Sequence, residues 1–113
     1  MHRAERMAET LREEITEIVG YEMKDPRLLT VTVTDVRVAE NLRNANVFVV
    51  VEGTEKEIEA ALVALNRAAT FVRQQVALSL NLRYAPILHF ARDTVEENAA
   101  RVDATLDEIG LDD

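Results

Sequence analysis

The chain has 113 residues, 48% of them hydrophobic and 30% charged, with a formal net charge of -8; this is the length of one domain with a single core. With no cysteine there is no disulfide framework, thiolate metal site or thiol nucleophile, and no apolar run approaches the length needed to span a membrane. Trp is absent and aromatics make up only 4% of the chain, which leaves little for a base-stacking platform.

In chain order, Met1 to Arg6 lead straight into a helix without the apolar segment of a signal peptide, so the expected location is cytoplasmic. That first helix is expected over Ala4 to Met23, with Met7, Leu11, Ile15, Ile18 and Val19 forming one apolar stripe. Gly20 is costly inside a helix and marks its last turn as a weak point or its true end. Lys24-Asp25-Pro26-Arg27 stops the helix, because proline biases the residue before it toward extended geometry.

Leu29 to Val38 reads as a strand. Val31 and Val33 share one phase and Val36 and Val38 the other, which predicts a β-bulge near Thr34-Asp35. Ala45 to Val51 is a second strand, and the short polar connection makes the pair an antiparallel hairpin. Thr54 with Glu57 is a capping box opening a helix whose stripe is Ile58, Ala61, Leu62 and Leu65. After Ala68-Ala69-Thr70 the stripe resumes at Phe71, Val72, Val76 and Leu80; one continuous helix would fit this pattern, but a break is expected, with Thr70 as the N-cap of the second segment. Pro86 to Arg92 is a third strand, with Leu88 and Phe90 on one face and Ile87 and His89 on the other. Thr94 with Glu97 opens a last helix, 94–109, on Val95, Ala99, Val102, Leu106 and Ile109, followed by a frayed tail at 110–113. The expected order is α-β-β-α-α-β-α in one α+β domain.

The charge is unevenly spread. Asp93 to Asp113 carry eight acids and one base, net -7, whereas Met1 to Arg92 carry twelve bases and thirteen acids, net -1. Ala60 to Arg92 contain no acid at all, but do contain Arg67, Arg73, Arg83, Arg92 and His89. A helix junction flanked by arginines, with no carboxylate to repel phosphate, is suited to a nucleic-acid backbone. The plainer alternative is a solvated basic helix face. Arg67 and Arg73 are expected to be exposed. Arg3, Arg6 and Arg12 on the first helix, and Lys24 and Arg27 after it, are further basic groups that only the fold can bring together.

Catalysis is not indicated. His89 has no serine or cysteine partner in sequence, Asp25 before proline is a turn former, and the three scattered glycines make no phosphate loop. There is no metal-ligand spacing, and no cofactor is expected. A small-molecule-binding regulatory α/β domain is an alternative class, and an interaction module built on the acidic last helix is another.

Arg3-Ala4-Glu5-Arg6 opening the first helix, Lys24-Asp25-Pro26-Arg27-Leu28 ending it, Val31-Thr32-Val33-Thr34-Asp35-Val36 in the first strand and Arg83-Tyr84-Ala85-Pro86 before the third together resemble the ribosome-binding factor A family, from Arg3 to about Ile109. The resemblance implies a KH-like fold of the second type, with helices packed on one face of a three-stranded mixed sheet. It implies a non-enzymatic, monomeric assembly factor that binds the 30S small ribosomal subunit and its 16S rRNA during late maturation, including growth in the cold. It also implies an RNA-binding helix-kink-helix at Ala68, Ala69 and Thr70. Thr70 stands where the family carries glycine. The expected RNA-binding set is thus Arg3, Arg6, Lys24, Arg27, Arg67, Ala68, Ala69, Thr70, Arg73 and Arg83.

Overall fold

The structure, a computed structural model, describes residues 3–94. The last helix expected from the sequence therefore lies outside the described residues. Helix α1 spans Arg3–Glu17 and continues into a π-helical turn, Ile18–Glu22. Gly20 sits within this wider turn, a departure that lets both Ile18 and Val19 face the core while Tyr21 points to solvent. The helix thus ends as an α-helix earlier than the apolar stripe predicts. A short 3-10 turn, Pro26–Leu28, follows, and the Asp25 carboxylate accepts the Arg27 N–H at 2.9 Å.

Strands β1 (Val31–Val38), β2 (Asn44–Val51) and β3 (Ile87–Arg92) form one sheet in the order β1-β2-β3, antiparallel between β1 and β2 and parallel between β2 and β3. The register shifts between Val33 and Asp35. Thr34 is the extra residue, which is why Val33 and Val36 both reach the core although three positions apart. The valine phase change in the sequence is this bulge.

Helices α2 (Glu55–Arg67) and α3 (Ala69–Ser79) join α1 on one face of the sheet. The core between the layers is Leu11, Ile15, Ile18, Val36, Val47, Val49, Leu65, Val72, Val76, Leu88 and Phe90, with further small apolar residues around them. This is a KH-like α+β arrangement of the second type. The capping box at the start of α2 forms as read: Glu57 N–H donates to the Thr54 hydroxyl at 3.2 Å, and Thr54 N–H donates to the Glu57 carboxylate at 2.9 Å. Gly53 before it has φ +148°, and an added Cβ would lie 3.1 Å from the Glu57 Cβ, so the position needs glycine on two counts.

Two expectations follow from the capping box. Thr54→Ala should lower stability by about 1 kcal/mol in chemical denaturation. The hydrogen bonds from Thr54 also hold the Glu57 carboxyl below its ordinary value of 4.5. A depressed folded-state pKa gives a contribution that is complete above that ordinary value and is lost as pH falls through the folded value. Glu57→Gln should therefore flatten the acid limb of the stability–pH curve, and an unchanged limb would remove Glu57 from the account.

Candidate nucleic-acid interface

The site is organised by the break between α2 and α3. Ala68 alone leaves helical geometry, at φ -90° and ψ 1°, and its N–H is shared between the carbonyls of Ala64 at 3.0 Å and Leu65 at 3.1 Å. Val72 N–H then returns to Ala68 C=O at 2.9 Å. The preceding N–H groups, of Ala69, Thr70 and Phe71, form the first turn of α3, the part of a helix that has no intrahelical acceptor and carries the positive end of the dipole. No side chain caps this end.

Contrary to the expectation from sequence, Thr70 is not the N-cap; Ala68 occupies that position, and Thr70 is an exposed residue already inside α3. The break comes two residues earlier because the junction is held by other residues. Asn66 uses its whole amide on backbone groups, most of it on β3. Its Oδ1 accepts the Phe90 N–H at 2.9 Å, and its Nδ2 donates to the Phe90 carbonyl at 3.0 Å and to Leu62 C=O at 3.2 Å. β3 is an edge strand, and Asn66 satisfies a backbone pair that a further strand would otherwise take. Arg73 makes the second tie, its Nε donating to the Ala85 carbonyl at 2.8 Å. Arg73 is half-buried, not fully exposed as expected, and it anchors the loop that delivers Pro86 to β3. Thr70→Gly should cost only a few tenths of a kcal/mol, the difference between the two in helix propensity, with no capping bond lost.

The same loop carries Arg83, whose guanidinium lies 5.9 Å from the Tyr84 ring centroid, with Tyr84 78% exposed. The Ile87 N–H donates to Arg43 C=O at 2.8 Å, so the turn before β2 and the loop before β3 share one end of the sheet. Arg43 and Tyr84 thus join the candidate surface. Tyr84 is marked in the sequence only by the Arg83-Tyr84-Ala85-Pro86 motif; Arg43 lies outside the acid-free stretch, and only the parallel pairing of β2 with β3 brings it to Arg83.

The remaining candidates lie on α1 and after it. Arg3 and Arg6 are exposed at the start of α1. Lys24 and Arg27 follow its far end, beyond about 22 Å of helix. The chain from Arg27 runs to Thr30, which bonds Glu52 past the end of β2, with its hydroxyl donating to Glu52 C=O at 2.7 Å. That is the opposite end of the sheet from Arg43 and Arg83. Arg27 is also engaged, with its guanidinium 2.6 Å from the Asp25 carboxylate, and that hydrogen bond holds the Asp25 carboxyl below its ordinary range. The loop before β3 thus brings Arg83 to the end of the sheet where Arg43 lies and is tied to α3 by Arg73, beside the junction that carries Arg67, whereas Lys24 and Arg27 lie at the opposite end of the sheet. Among the described residues no group of three or more His, Cys, Asp or Glu is placed to hold a metal ion, and no helix is long and apolar enough to cross a membrane.

Comparison with known proteins places this architecture. Residues 3–106 match the family described as Ribosome-binding factor A. The ribosome-binding factor A of Desulfitobacterium hafniense (strain DSM 10664 / DCB-2) is 46% identical over 101 residues, covering 89% of this chain and 81% of that one. That of Thermomicrobium roseum is 45% identical over 108 residues, covering 96% and 84%. The crystal structure of ribosome-binding factor A from Thermus thermophilus superposes with a TM-score of 0.71 at 27% identity, covering 80% of this chain and 97% of that one. A T. thermophilus homology model of the factor, fitted into a cryo-EM map of a 30S–RbfA complex, gives a TM-score of 0.69 at 28% identity over 82% of this chain and 97% of that one. With the family matched over nearly all of its length, the chain belongs to the ribosome-binding factor A family, whose members are ribosome-binding factors and not enzymes.

Proposed function

We propose that this protein binds the 30S small subunit as a monomer in the cytoplasm, holding 16S rRNA backbone at the α2–α3 junction during late maturation, including growth in the cold. The observation that carries the reading is the junction itself. An uncapped helix N-terminus opens beside Ala68 and Ala69, whose small side chains let a phosphate approach the backbone. Arg67 is exposed on one side, and the loop carrying Arg83 and Tyr84 is fixed on the other by Arg73. Such a site recognises backbone by charge and shape and needs no base code. The 30S complex of the T. thermophilus homologue supports the same partner.

Salt dependence tests the mechanism. Affinity for purified small subunits, measured by co-sedimentation, should fall steeply as salt rises, with each neutralised phosphate contributing about 0.7–0.9 to the log–log slope. A flat response between low and moderate salt would assign the binding to apolar or protein contacts instead.

A further inference from the structure

The sheet has two edges, at β1 and β3, and an edge strand presents backbone N–H and C=O groups without a partner unless something closes it. On β3 the Asn66 amide does so, taking both the N–H and the C=O of Phe90. On β1 the bulge at Thr34 divides the edge in two. Past the bulge, Ala39 N–H donates to Asn44 C=O at 2.9 Å, so by antiparallel alternation Asp35 and Arg37 bond to β2 while Val36 and Val38 turn their backbone outward. The outward N–H of Val36 is closed by the Asp35 carboxylate at 2.9 Å, whose other oxygen accepts from Arg37 at 3.3 Å. Before the bulge, Glu52 N–H donates to Thr30 C=O at 3.4 Å. Thr32 therefore bonds to Val50, and the N–H and C=O groups of Val31 and Val33 point away from the sheet. Among the described residues nothing bonds these groups.

Helix α1 packs on β1, and Val33 lines a groove between them with Glu9, Arg12, Glu13 and Thr16. Glu9 and Glu13 are four residues apart and share one helix face. Both are exposed, and neither makes an ion pair among the described residues. The outward donors and acceptors of Val31 and Val33 recur about 7 Å apart, the spacing of alternate residues in an extended polypeptide. On a strand added there, the side chains opposite Val31 and Val33 point to the same side as theirs, toward α1. The carboxylates on that side repel a phosphate chain and favour lysine or arginine. Pairing with β1 of a second copy about a two-fold axis would set two Glu9 and Glu13 faces against each other, which their like charge disfavours.

We propose that Val31 to Val33 is a strand-addition site, taking an extended segment of a partner protein with basic side chains at alternate positions. The segment pairs through its backbone with Val31 and Val33 and sets its basic side chains on Glu9 and Glu13. Asp35 closes the edge beyond the bulge and so ends the paired stretch. Val31 pairs with Val51, at the end of the sheet away from Arg43 and Arg83, and the site does not depend on the RNA reading.

The blocked peptide acetyl-Thr-Lys-Val-Lys-Thr-amide, titrated into the 15N-labelled full-length protein, probes the edge directly. The amide signals of Val31 and Val33 should shift and their exchange with solvent should slow, while those of Val36 and Phe90, whose N–H groups are already bonded, stay in place. Methylating the backbone nitrogens of both peptide lysines removes the donors and should abolish the effect. Glu9→Lys with Glu13→Lys should weaken binding of this peptide about tenfold and make acetyl-Thr-Glu-Val-Glu-Thr-amide the better ligand. Val31→Pro removes one outward donor without breaking the β1–β2 ladder, so it should abolish the shift at Val33 while core amides such as Val47 and Val72 keep their native positions. Unmoved Val31 and Val33 signals, or equal binding of the N-methylated peptide, would overturn the proposal. So would Val31 and Val33 signals that move on dilution without peptide, by assigning the edge to a second copy.

Discussion

Asn66→Ala is expected to be the most destabilising single change at the surface of this domain, lowering stability by about 2 kcal/mol. The side chain carries no charge and is largely solvent-facing, which would ordinarily predict a negligible cost. Its amide, however, is the partner of both the N–H and the C=O of Phe90, whose side chain is in the core. Removing the amide leaves two backbone groups at a half-buried strand edge without a partner, and their desolvation costs more than a typical hydrogen bond contributes. Asn66→Asp separates the two bonds: one carboxylate oxygen still accepts the Phe90 N–H, while the other opposes the Phe90 carbonyl. It should be at least as harmful near neutral pH. Urea denaturation of the three proteins checks the expectation. An alanine variant within a few tenths of a kcal/mol of the parent would mean that water replaces the amide and that Asn66 does not fix the junction.

What was legible in the sequence divides by the range of the interaction that produces it. The capping box at Thr54 and Glu57, the valine phase shift that becomes the bulge at Thr34, and the alternation of Leu88 and Phe90 against Ile87 and His89 are all local patterns. Each has one geometric outcome, and the structure shows it. That a break separates α2 from α3 was legible only through Thr70 as a candidate cap, since the apolar stripe runs on in phase from Leu65 to Val72 and Val76. Its position was not. A threonine after two alanines is a good cap in isolation. The chain instead breaks at Ala68, where ties from Asn66 to Phe90 and from Arg73 to Ala85 hold it, across 24 and 12 residues of sequence. The same distinction explains Arg73, which reads as one more exposed arginine on a helix and turns out to be half of a long-range hydrogen bond. The end of α1 shows a third kind of limit. Gly20 marks a weak point, but a π turn and a simple stop look alike in sequence, and burial of both Ile18 and Val19 decides between them.

For the candidate site, the acid-free stretch from Ala60 to Arg92 takes in the α2–α3 junction and the loop before β3 because most of that surface is continuous in sequence. Arg43 carries no such signal because it comes from the turn before β2, and Tyr84 is marked only by the Arg83-Tyr84-Ala85-Pro86 motif. Lys24 and Arg27 are marked in the sequence by their charge and by the Lys24-Asp25-Pro26-Arg27-Leu28 motif. The fold sends them to the far end of the sheet, where Arg27 pairs with Asp25.

The junction surface makes the central claim directly measurable. Arg67→Glu with Arg83→Glu replaces two exposed arginines that make no ion pair among the described residues, so folding should be little affected. If each makes a charged contact to phosphate worth about 1.5 kcal/mol, the pair should weaken small-subunit binding about 100-fold and lower the salt slope by about 0.7–0.9 for each arginine. Arg73 is left in place because it also holds the loop through Ala85, and its reversal would mix binding with stability. The matched control is Lys24→Glu with Arg27→Glu, the same charge change at the opposite end of the sheet. The decisive measurement is the affinity of both double variants for purified 30S subunits at one fixed salt concentration, with melting temperatures taken on the same samples. The account predicts a large loss for the Arg67 and Arg83 pair, a small one for the control, and little change in melting for either. Equal affinities for the Arg67, Arg83 variant and the parent protein, or a larger loss in the control, would contradict it.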